Sequence, residues 1–107
     1  MHILALEAST SAAKAILYKK GEGIMATADR SYPEAVSDVV TQDPDEVYRI
    51  LIECGKELLQ SVDCKIDGIG LSSTWHSLLL LDNNRQPVGR TLTWANTIAG
   101  ETTERHR

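Results

Sequence analysis

Apolar positions along the chain fall into short unbroken runs and one long helical stripe. Ile3 to Leu6 is a continuous apolar run, the pattern of a strand covered on both faces. Ala13 to Tyr18 is a second run, followed by Lys19-Lys20-Gly21-Glu22-Gly23, whose two glycines mark a tight reversal. Ile24 to Tyr32 is a third, less apolar stretch, with Ile24, Ala26 and Ala28 alternating against Met25, Thr27 and Asp29. Three strands joined by short turns predict an antiparallel meander, and Pro33 stops the pairing. The stretch Ser31 to Gln42 has no clear period and reads as a loop crossing the surface.

A helix is predicted next. Asp43 stands at the cap position, Pro44 at the first helical position, and Asp45 and Glu46 in the first turn. Asp43 and Glu46 have capping-box spacing, and the acids complement the positive end of the helix dipole. Val47, Ile50, Leu51, Cys54, Leu58 and Val62 then form one apolar stripe at helical spacing. Gly55 sits mid-helix at a cost of about 1 kcal/mol against Ala, which points to a close neighbour or to nothing. Beyond the helix, Lys65 to Ser73 predicts a fourth strand carrying two glycines and Ser77 to Asp82 a fifth. Thr91 to Trp94 predicts a short sixth strand, and residues 95–107 a polar, partly helical tail. The fold class expected is α/β: a mixed sheet of five to six strands, an antiparallel three-strand meander with the first strand central, and one main helix.

At 107 residues the chain is one small domain with a modest core. No stretch approaches the roughly 20 apolar residues of a membrane span, and the N-terminus reads as a strand rather than a signal peptide. A net charge of −4 with scattered basic residues offers no basic face for nucleic acid. Two cysteines, Cys54 and Cys64, are too few for a disulfide framework or a four-ligand metal site, so a reducing, cytoplasmic setting is expected.

Chemistry gathers at the carboxyl ends of strands in sheets of this kind, and three stretches fall there. The first is Glu7-Ala8-Ser9-Thr10-Ser11, where hydroxyls and backbone N–H groups sit beside a carboxylate. Such a turn makes a cradle for phosphate, and the carboxylate a ligand for Mg²⁺ directly or through water; the plainer reading is a Ser/Thr-rich turn with a solvated Glu. The second is Thr74-Trp75-His76, whose indole and imidazole suit a sugar, or else plug the edge of the domain. The third is Trp94-Ala95-Asn96-Thr97, where Trp94 is equally readable as core. Lys14 is either a phosphate contact or a solvated strand-end lysine, and Asp82 belongs to a turn.

The order of these elements resembles the N-terminal part of the FGGY carbohydrate kinases, with gluconate and xylulose kinases the most similar members. Glu7 to Lys14 stands where the family carries Asp-x-Gly-Thr-(Thr/Ser)-x-x-Lys. Tyr32-Pro33 and Gln42-Asp43-Pro44 are similar to the segment before the family's first helix. Gly68 to Val88 is similar to its strand, Met-His-(Gly/Ser) and strand–turn sequence, and Thr91 to Thr97 to its Trp-x-Asp stretch. The likeness runs from about Ile3 to Ile98.

The resemblance implies an actin-like, ribonuclease-H-like fold of two domains facing across a cleft. It implies transfer of the γ-phosphoryl of ATP, with Mg²⁺, to a hydroxyl of a small sugar, polyol or sugar acid. It assigns Thr10, Ser11 and Lys14 to the ATP phosphates, Glu7 to Mg²⁺ through water, and Trp75, His76, Trp94 and Asn96 to the substrate. Residues 1–107 are then expected to be a partial N-terminal domain, with the general base and the adenosine pocket beyond residue 107. The partners expected are a sugar and the remainder of the kinase chain, with a homodimer left open and neither nucleic acid nor membrane. Four positions depart from the pattern: Glu7 for Asp, Ser9 for Gly, Asn96 for the Trp-x-Asp acid and Ile98 for a common Arg; Trp75 also replaces Met. A non-catalytic sugar- or nucleotide-binding module of the same fold is the second reading.

Overall fold

The computed structural model describes residues 1–74, 76–97 and 100–105. Strands β1 (His2–Ala8), β2 (Ala12–Lys19) and β3 (Gly23–Ser31) pair antiparallel in sequence order. β5 (Gly68–Ser73) returns parallel to β1, giving the order β3-β2-β1-β5 and a mixed sheet with β1 inside it. Gly21 and Gly23 take φ of +86° and +87° in the β2–β3 reversal, a conformation that carries no steric cost for glycine.

Helix α1 (Pro44–Gln60) crosses one face of the sheet. Leu4 and Leu6 of β1 and Ala13, Ala15 and Leu17 of β2 are buried on that face together with Ile50, Cys54 and Leu58 of the helix. The two alanines of β2 leave room for the helix to approach, and Gly55 lets it touch: a Cβ there would lie 3.1 Å from Leu6 Cδ2. The close neighbour implied by a mid-helix glycine is therefore Leu6. Asp43 caps the helix by accepting from the amides of Asp45 and Glu46. The return half of the capping box is not made. Glu46 instead accepts from Arg49 at 2.6 Å, and the Asp43 amide donates to the Val36 carbonyl. The helix ends on Ser61, so Val62 of the expected stripe lies past it, still packed against the core.

Two expectations are corrected. The main sheet has four strands rather than five or six. Ser77 to Asp82 forms no continuous strand; the isolated bridges Leu78–Leu92 and Leu81–Pro87, with the Val88 amide donating to the Leu80 carbonyl, tie it to the segment that follows. Leu80 and Leu81 are exposed, and a leucine run without a second layer above it has nothing to straighten it. Asp82 sits in a turn, as read, accepting from the amides of Asn84 and Gln86. The short β6 (Thr91–Leu92) pairs instead with β4 (Thr41–Gln42), forming a separate two-stranded ribbon. A short helix, α2 (Gly100–Arg105), closes the described chain.

The second correction concerns residues 31–42, which do not cross the surface as a free loop. Tyr32, Val36 and Gln42 are buried, and Arg90 reaches back to the carbonyls of Ala35 and Val36. The Tyr32 phenol oxygen is buried and meets no hydrogen-bond partner among the described residues. Burial, with Cys54 and Glu7 adding, pushes its pKa up to about 12. The folded state thus disfavours the phenolate, so stability held below pH 10 falls as pH rises from about 10 to about 12. Tyr32→Phe is expected to raise stability by about 1 kcal/mol, since an unpaired buried hydroxyl is removed, and to flatten that alkaline slope. Urea unfolding at pH 8 and across pH 10 to 12 checks both; a destabilised phenylalanine variant would show that the hydroxyl is satisfied.

Candidate functional site

The turn joining β1 to β2 is built from Ser9, Thr10 and Ser11 at the carboxyl end of β1. Its base is closed by Ser9, whose amide and hydroxyl both donate to the Ala12 carbonyl, at 2.9 and 2.8 Å. Ser9 lies outside the left-handed region, so serine is accommodated there without backbone strain. The carbonyls of Ser9 and Thr10 point into the molecule: the side-chain amide of Gln42 donates to each at 3.1 Å, and the Ser37 hydroxyl donates to Thr10 at 2.6 Å. Among the described residues the amides of Thr10 and Ser11 meet no acceptor. Thr10 is half-buried and Ser11 exposed, so two adjacent N–H groups and a hydroxyl are presented together, the form of an anion-binding concavity.

The three strand-end stretches meet here in part. The amide of Thr74 donates to the Ala8 carbonyl at 3.0 Å, placing the end of β5 beside the end of β1. The Trp94 indole N–H donates to the Thr10 hydroxyl oxygen at 3.2 Å, which joins the third stretch to the first. Trp94 is 58% exposed, so its ring face is open and it is not core. Thr93 and Asn96 hold the turn ahead of β4. The Thr93 amide and the Asn96 side-chain amide donate to the Val40 carbonyl, and the Thr93 hydroxyl to that of Val39. Val39 has φ of +77°, a strained conformation for a β-branched residue, and these bonds are what retain it. The Thr41 amide holds the Asp38 carboxyl below its usual range, with the Thr41 hydroxyl and Arg90 adding. His76, exposed beyond the end of β5, has φ of +53°. Trp75 and Ile98 lie outside the described residues.

Glu7 and Lys14 face each other across β1 and β2, a step below the turn, on the sheet face opposite α1. With Ser72 of β5 they line an open groove of about 300 Å³. No cluster of three metal-binding side chains occurs among the described residues. One half-buried carboxylate beside an open groove is the kind of oxygen ligand that would hold Mg²⁺ through water. On the α1 side of the same strand ends, Gln42, Ser73, Thr74 and Ser77 contribute the polar part of a second recess of about 310 Å³.

Residues 2–106 match the model of the FGGY family of carbohydrate kinases, N-terminal domain. The chain belongs to that family. Among curated FGGY relatives, the xylulose kinase of Bacillus subtilis is 31% identical over 101 residues, spanning 90% of this chain and 20% of that protein. The gluconokinase of the same organism is 26% identical over 98 residues, spanning 89% and 19%. The chain therefore spans about a fifth of the length of the curated relatives it matches. The crystal structure of the gluconate kinase of Lactobacillus acidophilus superposes with a TM-score of 0.87 at 27% identity, over 97% of this chain and 22% of that one. The glycerol kinase of Plasmodium falciparum, solved with ADP, shares the fold at a TM-score of 0.80 and 18% identity. The α/β mixed sheet is thus that of FGGY kinases. No helix among the described residues is long and apolar enough to cross a membrane.

Gln42 entered the sequence reading only within the Gln42-Asp43-Pro44 likeness, with no role of its own, and Ser37 did not enter it at all; both lie in a stretch without hydrophobic period. A polar residue that is 4% exposed can be found only once the loop is seen to fold back over the turn.

Proposed function

We propose that this chain is the N-terminal part of an ATP-dependent carbohydrate kinase that moves the γ-phosphoryl of ATP to a hydroxyl of a small sugar, polyol or sugar acid. The observation that carries it is the Ser9–Ser11 turn, where the Thr10 and Ser11 amides meet no acceptor among the described residues and the Thr10 hydroxyl oxygen accepts from the exposed indole of Trp94. Phosphoryl transfer consists chiefly of positioning and charge stabilisation, and this edge supplies parts of both. The Thr10 and Ser11 amides bind phosphate oxygens. Thr10, which accepts from Trp94, keeps its own proton for a third bond, and a hydroxyl so engaged is the stronger donor.

Lys14 adds positive charge on the sheet face, while Glu7 would hold Mg²⁺ through water; that ion, when bound, neutralises charge on the phosphates. The Trp94 ring face offers a stacking surface for a sugar ring, and His76 follows the neighbouring strand end; Trp75 is assigned to the substrate from its place in the sequence alone. Asn96 is read as a substrate residue through its place beside Trp94, with part of its amide engaged by Val40. The general base and the adenosine pocket are assigned to the rest of a longer chain, acting in the cytoplasm, either alone or as a homodimer. The named relatives suggest the candidates: gluconate, xylulose and glycerol.

A second reading, a binding module that no longer phosphorylates, is favoured by Glu7 and Asn96, each of which stands where the family pattern has Asp. An ADP-release assay on the complete gene product, with Mg-ATP and those three candidate acceptors, separates the two. A kinase gives acceptor-dependent turnover on the order of 1–1000 s⁻¹ with one of them. Calorimetric binding of an acceptor and of Mg-ATP without ADP release would leave the binding module.

A further inference from the structure

We propose that Gln42, with Ser37, is the positioning residue of the phosphate-facing turn: it fixes two carbonyls inward and thereby aims two amides outward. The inference rests on the phosphate reading of the turn given above. Its geometry follows from the planarity of the peptide bond. In a trans peptide the C=O of one residue and the N–H of the next point in opposite directions, and no cis peptide is present among the described residues. Holding the Ser9 carbonyl therefore sets the direction of the Thr10 amide, and holding the Thr10 carbonyl sets that of Ser11. Both carbonyls are held by one side chain, the Gln42 amide, at 3.1 Å each.

Ser37 completes the arrangement. Its hydroxyl donates to the Thr10 carbonyl at 2.6 Å, filling the second lone pair, and lies 3.3 Å from Gln42 Nε2. Gln42 is 4% exposed, so its donors have no water to turn to, and a buried amide must be satisfied by what surrounds it. The clamp is anchored on rigid elements. Gln42 pairs with Thr91 in the β4–β6 ribbon and immediately precedes the Asp43 cap of α1. Ser37 sits in the stretch whose Val36 carbonyl accepts from Asp43 and Arg90. The turn, closed at its base by Ser9, thus inherits its position from α1 and the ribbon. No side-chain atom of Gln42 or Ser37 need touch the ligand.

The test compares binding of Mg-ATP with binding of adenosine, which has no phosphates, by calorimetry on the complete gene product. Gln42→Glu is close to isosteric and places a carboxylate against two carbonyl oxygens, so the peptide planes must rotate. The dissociation constant for Mg-ATP is expected to rise at least about tenfold, one well-aimed charge-assisted bond being lost, with that for adenosine unchanged within about twofold. Ser37→Ala is expected to give a smaller rise of the same kind, and Ser37→Thr, which keeps the hydroxyl, to restore most of it. Should Gln42→Glu fail to fold, the two Ser37 variants carry the same comparison. Equal weakening of Mg-ATP and adenosine, or no weakening of either, overturns the clamp. A parent that binds Mg-ATP but releases no ADP overturns the kinase reading alone, and the clamp is still decided by the two constants. A parent that binds no Mg-ATP overturns both.

Discussion

Thr10→Ala in the complete gene product is expected to lower turnover about a hundredfold, the usual loss when one donor aimed at developing charge is removed. The Michaelis constant for the sugar should change by less than about twofold, because binding of the acceptor does not rely on that hydroxyl. The reasoning is specific to the bond that Thr10 makes. Its oxygen accepts from the Trp94 indole, so its proton is left to point toward the open side of the turn. Alanine removes that donor and leaves the indole N–H without its acceptor, while the backbone amides stay in place. Thr10→Ser keeps both roles and is expected to retain most of the turnover. Steady-state kinetics over a range of Mg-ATP and sugar concentrations check the pair. Unchanged turnover in the alanine variant would remove Thr10 from the site.

Gly55→Leu is expected to destabilise the chain by about 3 kcal/mol, at the upper end of what overpacking costs. The helix touches β1 at this point: even a methyl carbon would lie 3.1 Å from Leu6 Cδ2. Three further carbons have nowhere to go, since Leu6 is 7% exposed and Cys54, the neighbour of Gly55, is wholly buried. The effect reaches the site, because Leu6 precedes Glu7 on the strand that delivers the turn. Gly55→Ala is a sharper probe of the same contact. Alanine gains about 1 kcal/mol of helix propensity, against a contact that the end of a leucine side chain relieves by moving a few tenths of an ångström. A near-neutral alanine and a strongly destabilised leucine are the expected pair in urea unfolding. A leucine variant as stable as the parent would place the helix further from the sheet.

Those elements that carry their own signal were legible in the sequence. The cap Asp43, Pro44 at the first helical position and the 3.6-residue stripe announced α1, and the glycines at 21 and 23 announced the β2–β3 reversal. The meeting of the β1 and β5 ends followed from strand order, whereas the third stretch reaches Thr10 from the separate β4–β6 ribbon. What was not legible depends on contacts between distant residues. The leucines and isoleucines of a strand look alike whether or not a second layer covers them. Ile69 and Leu71 share a face with Leu4 and Leu6 through the β1–β5 register, yet are 62% and 77% exposed because α1 does not reach them. The same limit hid Gln42. Its importance lies in carbonyls 32 and 33 residues away, and no local pattern encodes which polar side chain in an aperiodic stretch will be buried beneath a turn. Charged residues misled more gently: Glu46 had the spacing to cap the helix and satisfies Arg49 instead, as exposed acids with an arginine one turn on commonly do.

The decisive experiment is a crystal structure of the complete gene product with Mg²⁺ and a non-hydrolysable ATP analogue. Phosphate oxygens within about 3.2 Å of the Thr10 and Ser11 amides, with the Gln42 side chain still on the Ser9 and Thr10 carbonyls, is the predicted result. An analogue whose phosphates are held elsewhere, with the turn facing only water, would contradict it.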